Sequence, residues 1–398
     1  MVYIIDEPSV GLHPEDIAKI NEILKSLKDK GNTVLIVEHD PDVIKEGDYI
    51  IDMGPGSGKN GGEITFEGTY NELLSSNTST GNALRHKHNL KENIREANHF
   101  YNIGPVTQNN LNNVKTSIPK HVLTVLTGVA GSGKSTLVKA GFENNDHTIF
   151  IDQKAVQGSN RSNLLTYLGV FDSVRSFFSK ETGLNKAMFS YNSKGACPNC
   201  GGKGYIKTEL AFMGDFSQTC EVCHGKRYKQ EVLDATIDGY SIADVLDLTV
   251  DEGIIFFDKK NDIKSKLQSV SKTGLNYMSL GQPLSTLSGG EIQRVKLAQH
   301  LDEEIKNSIF IFDEPTTGLH ESDIPILMEC FDDLIDQNNT VILIEHNLSM
   351  MCEADWIIDV GPGPGLDGGK VQFSGTPKNF IDSSETLTSK HLKRYINQ

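Results

Sequence analysis

The chain contains an internal duplication, and this feature constrains its fold more than any other. Residues 4–69 reappear 307 positions later without a gap. Asp6-Glu7-Pro8 returns as Asp313-Glu314-Pro315, and Glu38-His39 returns as Glu345-His346. Because the offset is constant through loops as well as apolar runs, a whole structural unit has been duplicated. The chain is therefore predicted to hold the end of one domain followed by a second, complete domain of the same kind.

A glycine-rich loop precedes the second copy. The apolar residues 122–126 are predicted to form a buried strand, which runs directly into Gly128-Val129-Ala130-Gly131-Ser132-Gly133-Lys134-Ser135-Thr136. This is the full G-x-x-x-x-G-K-[ST] phosphate loop in its strand–loop–helix context, which a chance glycine-rich turn would lack. Lys134 is expected to pair with phosphate oxygens of a nucleotide, and the Ser135 hydroxyl to ligate Mg²⁺. The predicted nucleotide-binding residues of the loop are Gly128, Gly131, Gly133, Lys134, Ser135 and Thr136.

Two further apolar runs, residues 308–312 and 340–344, read as buried parallel strands that end in polar side chains. Asp313 is expected to hold Mg²⁺ through water, and Glu314 to orient or deprotonate the attacking water. His346 is expected to sense or stabilise the γ-phosphate. Taken alone, His346 would be interpreted as a structural histidine. Three strands that deliver polar groups to one sheet edge are a more specific indication of a site.

The sequence Leu287-Ser288-Gly289-Gly290-Glu291 precedes a predicted helix over residues 292–298. Ser288 can cap this helix, and the two glycines leave its N–H groups open to an anion. Between a phosphate loop and Asp-Glu-Pro, this motif is the signature of the ATP-binding-cassette (ABC) class. In that class the signature of one domain closes over ATP held by the phosphate loop of another, which predicts dimerisation through the ATP sites.

Four of the six cysteines form two C-x-x-C pairs, Cys197–Cys200 and Cys220–Cys223, separated by 19 residues. The spacing is close to that of a tetrahedral Zn²⁺ site. Four thiolates would close the coordination shell, so the predicted zinc is structural. A redox dithiol pair is the alternative, although a second pair would be redundant for it. Cys330 and Cys352 lie in apolar stretches and are expected to be core residues.

The region around the cysteines is locally basic and contains interleaved aromatic residues. Such a surface could meet a phosphate backbone, which makes duplex DNA a candidate partner. A solvated zinc ribbon with an ordinary charged face is the alternative. The basic residues are Lys186, Lys194, Lys203, Lys207, Lys226, Arg227 and Lys229, against Glu209, Asp215 and Glu221, and the aromatic residues are Tyr191, Tyr205, Phe212, Phe216 and Tyr228.

The net charge and the distribution of apolar residues argue against some classes of protein. The 398 residues carry a formal net charge of −15, which argues against a surface coated with phosphate-binding residues but permits a local basic patch. The sequence has no run of about 18 apolar residues, so no membrane span is predicted. Its first residues lack the basic region and cleavage site of a signal peptide, and a cytoplasmic location is expected.

The motifs together predict an α/β fold: an ABC-type P-loop ATPase with an inserted helical signature subdomain and a C4 zinc ribbon. The first copy is expected to contain three strands and a helix, and to be incomplete without a phosphate-loop strand. The predicted segments are the remnant of a first ATPase domain (1–75), a linker (76–99), the second ATPase domain (100–385), its inserted subdomain (155–285) with the zinc module (197–223), and a tail (386–398).

These motifs, in this order, resemble the UvrA family, the damage-sensing subunit of bacterial nucleotide excision repair. The insertion of a four-cysteine module between phosphate loop and signature is the decisive feature, and the resemblance covers essentially the whole chain. Other stretches that carry the resemblance are Asn109-Asn110-Leu111, Ile118-Pro119, Ile151-Asp152-Gln153, Arg161-Ser162-Asn163, residues 223–228, Leu280-Gly281-Gln282 and residues 286–294.

The resemblance implies an adenine-nucleotide switch with two cassettes that works as a dimer on DNA. It implies that Gln153 contacts Mg²⁺ and the γ-phosphate, and that Glu314 is the catalytic carboxylate. Ser288, Gly289 and Gly290 would serve the opposite ATP site. The zinc hairpin of the family is implicated in handling DNA.

The sequence also departs from the family pattern. A first phosphate loop, its signature and the region that binds the UvrB partner are missing, so a UvrB-type partner is not expected. Sixteen residues separate Thr136 from Gln153, and residues 210–216 replace a stretch that usually contains proline. Ala196 stands where arginine is common. Two alternatives therefore remain open: a UvrA-like protein that protects DNA against a drug, and a catalytically idle nucleotide-binding fragment.

Overall fold

The structure is a computed structural model that describes residues 1–56, 58, 61–154, 162–210, 214–303 and 305–397. Arg161, which is part of the family resemblance, and residues 211–213, which are part of the departure from it, lie outside the described residues. The side chains of Glu209, Asp215 and Phe216 also lie outside them. The chain forms two compact units. The first combines Met1–Lys154 with Ser288–Gln398, and the second is Ala155–Leu287.

A six-stranded sheet organises the first unit. Five consecutive strands of it are parallel. Four of them are buried along nearly their whole length, as expected for strands covered on both faces, whereas the strand at the edge is partly exposed. The sixth strand is antiparallel and lies at one edge. In spatial order the strands are Lys370–Gly375, Trp356–Gly361, Leu123–Thr127, Thr340–Ile344, Ile309–Asp313 and Thr148–Ile151. This arrangement confirms the predicted α/β ABC-type fold.

Alternate side chains of these strands enter two cores on opposite faces of the sheet. Phe310 and Phe312 pack in one core, whereas Ile309 and Ile311 pack in the other. The first core also buries Cys330 and Cys352, which confirms their predicted core role. Its helices are Gly289–Leu301, Ile324–Asp336, Leu348–Cys352, Pro377–Ser383 and Leu387–Tyr395. The second core is covered by the helix Lys134–Phe142 and by an antiparallel hairpin of Phe100–Gln108 and Leu111–Pro119.

The first copy contains four strands, one more than predicted. The parallel pair Val2–Asp6 and Thr33–Val37 is separate from the antiparallel pair Ile50–Gly54 and Glu63–Gly68. The fourth strand has alternating polar and apolar residues between Gly62 and Gly68. This is a strand pattern that the sequence interpretation missed. Ile4 is 73% exposed and Met53 is 64% exposed, because no strand pairs with these ribbons where Leu123–Thr127 completes the second copy in the described structure. The helices of this segment are Pro14–Asp29, Pro41–Ile44, Tyr70–Ser75 and Ser79–Arg85.

The second unit is mainly helical, as predicted for the inserted subdomain. Its core contains the fully buried rings of Phe178, Phe189 and Phe257. Two short hairpins pair Tyr205–Leu210 with Gly214–Thr219 and Thr236–Ile237 with Tyr240–Ser241. The helical segments are Leu164–Tyr167, Phe171–Thr182, Lys186–Phe189, Gln230–Leu233, Ile242–Asp247, Val250–Phe256, Asn261–Val270, Ser271–Leu275 and Leu284–Thr286.

Among the described residues, none of the helices has both the length and the apolar character required to cross a membrane.

Candidate nucleotide site and metal centre

The phosphate loop follows the central strand Leu123–Thr127 and enters the helix Lys134–Phe142. Gly128 has φ 130°, and a Cβ placed on it would lie 1.9 Å from the Val360 carbonyl oxygen. Only glycine fits at this position, because both the backbone conformation and the space exclude a side chain. Asn110 Nδ2 supports the loop by donating to the carbonyl oxygens of Gly131 at 3.2 Å and Gly365 at 3.1 Å.

Lys134 is buried at the mouth of this loop. Its Nζ donates to the carbonyl oxygens of Gly128 at 2.8 Å and Val129 at 3.0 Å. Burial lowers the pKa of Lys134 to about 8, although Glu314 and Asp359 nearby favour the charged form. A bound polyphosphate would place further negative charge beside this amine and favour its protonated form. The position of Lys134 therefore suits the predicted phosphate contact.

Ser135, in the first turn of the helix after the phosphate loop, lies beside Asp313, the last residue of its strand. Ser135 Oγ donates to Asp313 Oδ1 at 3.4 Å, and Lys139 Nζ lies 3.6 Å from Asp313 Oδ2. A hydroxyl and a carboxylate at this separation are the hard oxygen donors that Mg²⁺ prefers, so the two residues fit the predicted ion. Thr136 Oγ1 faces a different partner, because it accepts from Asn109 Nδ2 at 3.1 Å.

Glu314 and His346 form a close pair at the same sheet edge. Glu314 Oε1 lies 3.5 Å from His346 Nε2. The hydrogen bond from His346 lowers the pKa of Glu314, against the opposing effect of burial. Glu314 is therefore held as a carboxylate, the form that can accept a proton from water.

Gln153 reaches the loop that carries Glu314. Its Nε2 donates to the Glu314 carbonyl oxygen at 3.2 Å and to Thr317 Oγ1 at 2.9 Å. The structure therefore brings Gln153 together with Glu314, His346 and the phosphate loop in the first unit.

Glu345 and Gln293 have roles at this edge that the sequence interpretation missed. Glu345 is buried, and its carboxylate accepts from the backbone N–H groups of Thr316 at 3.1 Å, His346 at 2.5 Å and Asn347 at 3.1 Å. Gln293 Nε2 donates to the Asp313 carbonyl oxygen at 2.6 Å. The recurrence of Glu38 as Glu345 in the duplication could have revealed this residue. In the structure Glu38 also accepts hydrogen bonds from backbone N–H groups.

Ser288 caps the helix Gly289–Leu301, as predicted. Its Oγ accepts from Glu291 N at 3.3 Å, and Glu291 Oε2 accepts from Ser288 N at 2.8 Å. A Cβ on Gly290 would lie 2.2 Å from the Thr317 carbonyl oxygen, so the loop after Glu314 packs directly on the signature backbone. The role of Ser288, Gly289 and Gly290 at an opposite ATP site stays a prediction.

Residues 9–12 of the first copy, which correspond to the loop after Glu314 in the second copy, lie against this site. A groove is lined by residues 9–12 and His39 of the first copy together with Glu314 and His346 of the second. Gly11 lies against the carboxylate, since a Cβ placed on it would be 2.9 Å from Glu314 Oε2. Both copies therefore contribute to the surroundings of Glu314.

The second unit holds a buried cluster of the four predicted cysteines, Cys197, Cys200, Cys220 and Cys223, whose sulfur atoms lie within 4.8 Å of one another. Cys197 Sγ is 3.9 Å from Cys220 Sγ, and Cys200 Sγ is 3.7 Å from Cys223 Sγ. Tetrahedral zinc with bonds of about 2.3 Å to sulfur requires separations of about 3.8 Å, so the sulfurs fit this ion. Gly204 N and Asn199 Nδ2 donate to Cys200 and Cys220.

The expected basic and aromatic surface around the cysteines is only partly present. Tyr191 and Tyr228 are each 1% exposed and pack on each other, so the expectation that they line a DNA-binding surface was wrong. The interleaving of basic and aromatic residues in the sequence does not show whether a ring points outward, and these two rings are buried in the second unit. Lys186 and Lys226 pair with Asp172 and Asp244, Arg227 lies over the Tyr191 ring, and Tyr205 is 42% exposed on the hairpin.

A family model described as "ABC transporter" matches residues 111–317. UvrABC system protein A of Clostridium perfringens is 43% identical over 431 residues, which cover 100% of this chain and 46% of that protein. The Bacillus subtilis protein of the same name is 42% identical, with coverages of 100% and 45%. The crystal structure of UvrA2 from Deinococcus radiodurans superposes with a TM-score of 0.92 at 39% identity, covering 100% of this chain and 52% of that one.

The chain thus spans about half the length of the curated relatives that it matches. The agreement extends over the whole chain in both sequence and structure, and the family model spans the phosphate loop, the signature and Glu314. The chain therefore belongs to the ABC ATPase family, and within that family it is homologous to the UvrA proteins.

Proposed function

We propose that this protein binds and hydrolyses ATP, and that the nucleotide switches a DNA-binding assembly of the excision-repair type. The observation that carries the first part is the convergence of Ser135, Asp313 and Glu314 beside the phosphate loop. His346 faces the Glu314 carboxylate, and Gln153 donates to the Glu314 backbone carbonyl oxygen. The second part is supported by homology to the A protein of the UvrABC system.

In the proposed reaction, water attacks the γ-phosphorus and the bond to the β–γ bridging oxygen breaks, so that ADP leaves. Glu314 accepts the proton of the attacking water, because His346 keeps its carboxylate ionised. Lys134 neutralises phosphate oxygens from inside the loop. Ser135 and Asp313 would hold Mg²⁺, which supplies positive charge to the phosphates.

We further propose that ATP closes two chains on each other. Ser288 and the two glycines after it present helix N–H groups, which suit a phosphate of a nucleotide held by another domain. Hydrolysis through Glu314 would then reopen the interface. The four-cysteine module would hold structural zinc, and its hairpin with the exposed Tyr205 would meet DNA.

Glu314→Gln tests the proposal, because it removes the acceptor for the proton while keeping the size of the side chain. We expect ATP binding to persist and turnover to fall at least about 100-fold. Glu7→Gln is the matched control, since Glu7 occupies the equivalent position of the first copy. Normal turnover in Glu314→Gln would rule out the assigned role, and an equal loss in both variants would rule out the distinction between the copies.

A further inference from the structure

Two reciprocal hydrogen-bonded chains connect the duplicated halves of the first unit. His13 Nε2 lies 3.0 Å from Thr388 Oγ1, and this hydroxyl donates to Asp359 Oδ1 at 3.3 Å. In the other direction, His320 Nε2 lies 3.2 Å from Thr80 Oγ1, which donates to Asp52 Oδ1 at 2.8 Å. Each chain therefore starts in one copy and ends on an aspartate of the other.

The duplication relates the two series of hydrogen bonds to each other. His13 and His320 are equivalent under the 307-residue offset, and so are Asp52 and Asp359. Each histidine ends the loop that follows the Asp-Glu-Pro motif of its own copy. The same histidine, threonine and aspartate geometry thus occurs twice, although the threonines are supplied by segments that follow each copy.

The direction of each chain is fixed by the histidine tautomer. His13 Nδ1 accepts from Glu15 N at 3.2 Å, and His320 Nδ1 accepts from Ser322 N at 3.2 Å. A neutral ring that accepts at Nδ1 carries its proton on Nε2 and must donate there. Burial, with smaller contributions from His346 and His391, lowers the pKa of His13 to about 3, which keeps this ring neutral. Protons therefore point from histidine to threonine to aspartate.

The series of hydrogen bonds that starts at His13 connects two parts of the nucleotide site. At one end, His13 closes the loop whose Gly11 lies against the Glu314 carboxylate, and its ring centroid is 6.1 Å from that of His346. At the other end, Asp359 aligns with Thr127 in the sheet, and a Cβ on Gly128 would lie 3.1 Å from Asp359 Oδ1. Asp359 therefore adjoins the first glycine of the phosphate loop.

We propose that His13, Thr388 and Asp359 form a positioning relay that links the first copy to the phosphate loop of the second. His13 acts through Thr388 and Asp359 and touches no phosphate. The relay holds the loop around Gly11 over Glu314 and couples its position to the conformation of the phosphate loop. The effect on turnover rests on the proposed ATPase function, whereas the effect on the phosphate loop does not.

The test combines hydrogen exchange of the nucleotide-free protein with ATP turnover. Thr388→Val removes the central hydroxyl at nearly constant volume, and His13→Ala removes the donor. Both are expected to raise exchange in the peptide over residues 123–134 roughly threefold or more, about the effect of one lost hydrogen bond. Both should lower kcat by a similar factor with little change in KM for ATP, and the double variant should lose no more than either single variant.

His13→Gln keeps an N–H donor near the position of Nε2 and is expected to restore exchange and kcat to within roughly threefold of the unsubstituted protein. His391→Gln is the matched control. His391 contacts the His13 ring at 5.8 Å and pairs with Glu15 at 3.1 Å, but it is outside the relay. Unchanged exchange over residues 123–134 in Thr388→Val and His13→Ala would overturn the relay, whatever the ATPase result. Changed exchange together with no turnover by the unsubstituted protein would overturn the proposed function and support the relay.

Discussion

Glu314 and His346 follow neighbouring parallel strands, and Glu314 Oε1 lies 3.5 Å from His346 Nε2. The pairing of Asp313 with Ile344 in the sheet brings the two loops level with each other. This register explains why two polar residues separated by 32 positions act on the same side of the nucleotide site.

His346→Ala is expected to raise the pKa of Glu314, because the hydrogen bond that lowers it is lost while burial still opposes ionisation. A carboxylate with a raised pKa becomes protonated at higher pH, so the acid limb of the pH–rate profile should move upward. We expect kcat at pH 7 to fall at least about tenfold. His39→Ala removes the equivalent histidine of the first copy and should leave the acid limb in place. An unmoved limb in His346→Ala would contradict this electrostatic role.

Lys134 should make nucleotide affinity depend on pH. Its pKa is lowered to about 8 by burial, and its charged form is the one that pairs with phosphate. Above that pH the free protein loses the charge, so the Kd of a non-hydrolysable ATP analogue should rise up to about tenfold between pH 8 and 9. Titration calorimetry measures this, and Lys134→Ala should bind weakly without that dependence. Lys139→Ala, which removes an exposed neighbour, should retain it. A Kd that does not change over this range would contradict the prediction.

Much of this site could be predicted from the sequence, because buried parallel strands are continuous apolar runs and their carboxyl ends share one edge. Asp313, Glu314 and His346 were found for that reason, and the phosphate loop was found from its glycine-rich motif. Glu345 was missed, since a carboxylate that binds backbone N–H groups has no motif of its own and is marked only by its recurrence as the counterpart of Glu38. The burial of Tyr191 and Tyr228 was missed because charge and aromatic counts do not report which way a ring points.

Glu345→Ala should destabilise the loops that follow Asp313 and Ile344. The backbone N–H groups of Thr316, His346 and Asn347 would lose their shared acceptor. Unsatisfied buried N–H groups make unfolding easier by about 1–3 kcal/mol each. We therefore expect a lower Tm together with a lower kcat. Glu38→Ala removes the equivalent carboxylate of the first copy and should lower Tm without the same loss of kcat. Equal kcat losses in the two variants would show that the effect is only a loss of stability.

Cys220→Ser should release zinc from the purified protein. The four sulfurs lie within 4.8 Å of one another, and two of their separations match a tetrahedral zinc site. A closed site loses most of its affinity when one thiolate is removed. Metal analysis should give about one zinc per chain before the substitution and much less after it. Cys330→Ala is the control, because Cys330 is buried in the core of the first unit and should leave the zinc content unchanged. Equal metal content in Cys220→Ser and the unsubstituted protein would exclude this cluster as the zinc site.

The solution mass of Glu314→Gln with and without Mg-ATP tests whether two copies of this chain complete each other. The chain has a mass of 43.8 kDa, and light scattering distinguishes it from a species of twice that mass. We expect ATP to produce the dimer, because Ser288–Gly290 of one copy can close over a nucleotide held by Lys134 of the other, and the substitution prevents its hydrolysis. Adding Lys134→Ala should keep the protein monomeric. A monomer at saturating ATP would contradict closure between two copies of this chain, since the phosphate loop alone can bind nucleotide without a second copy.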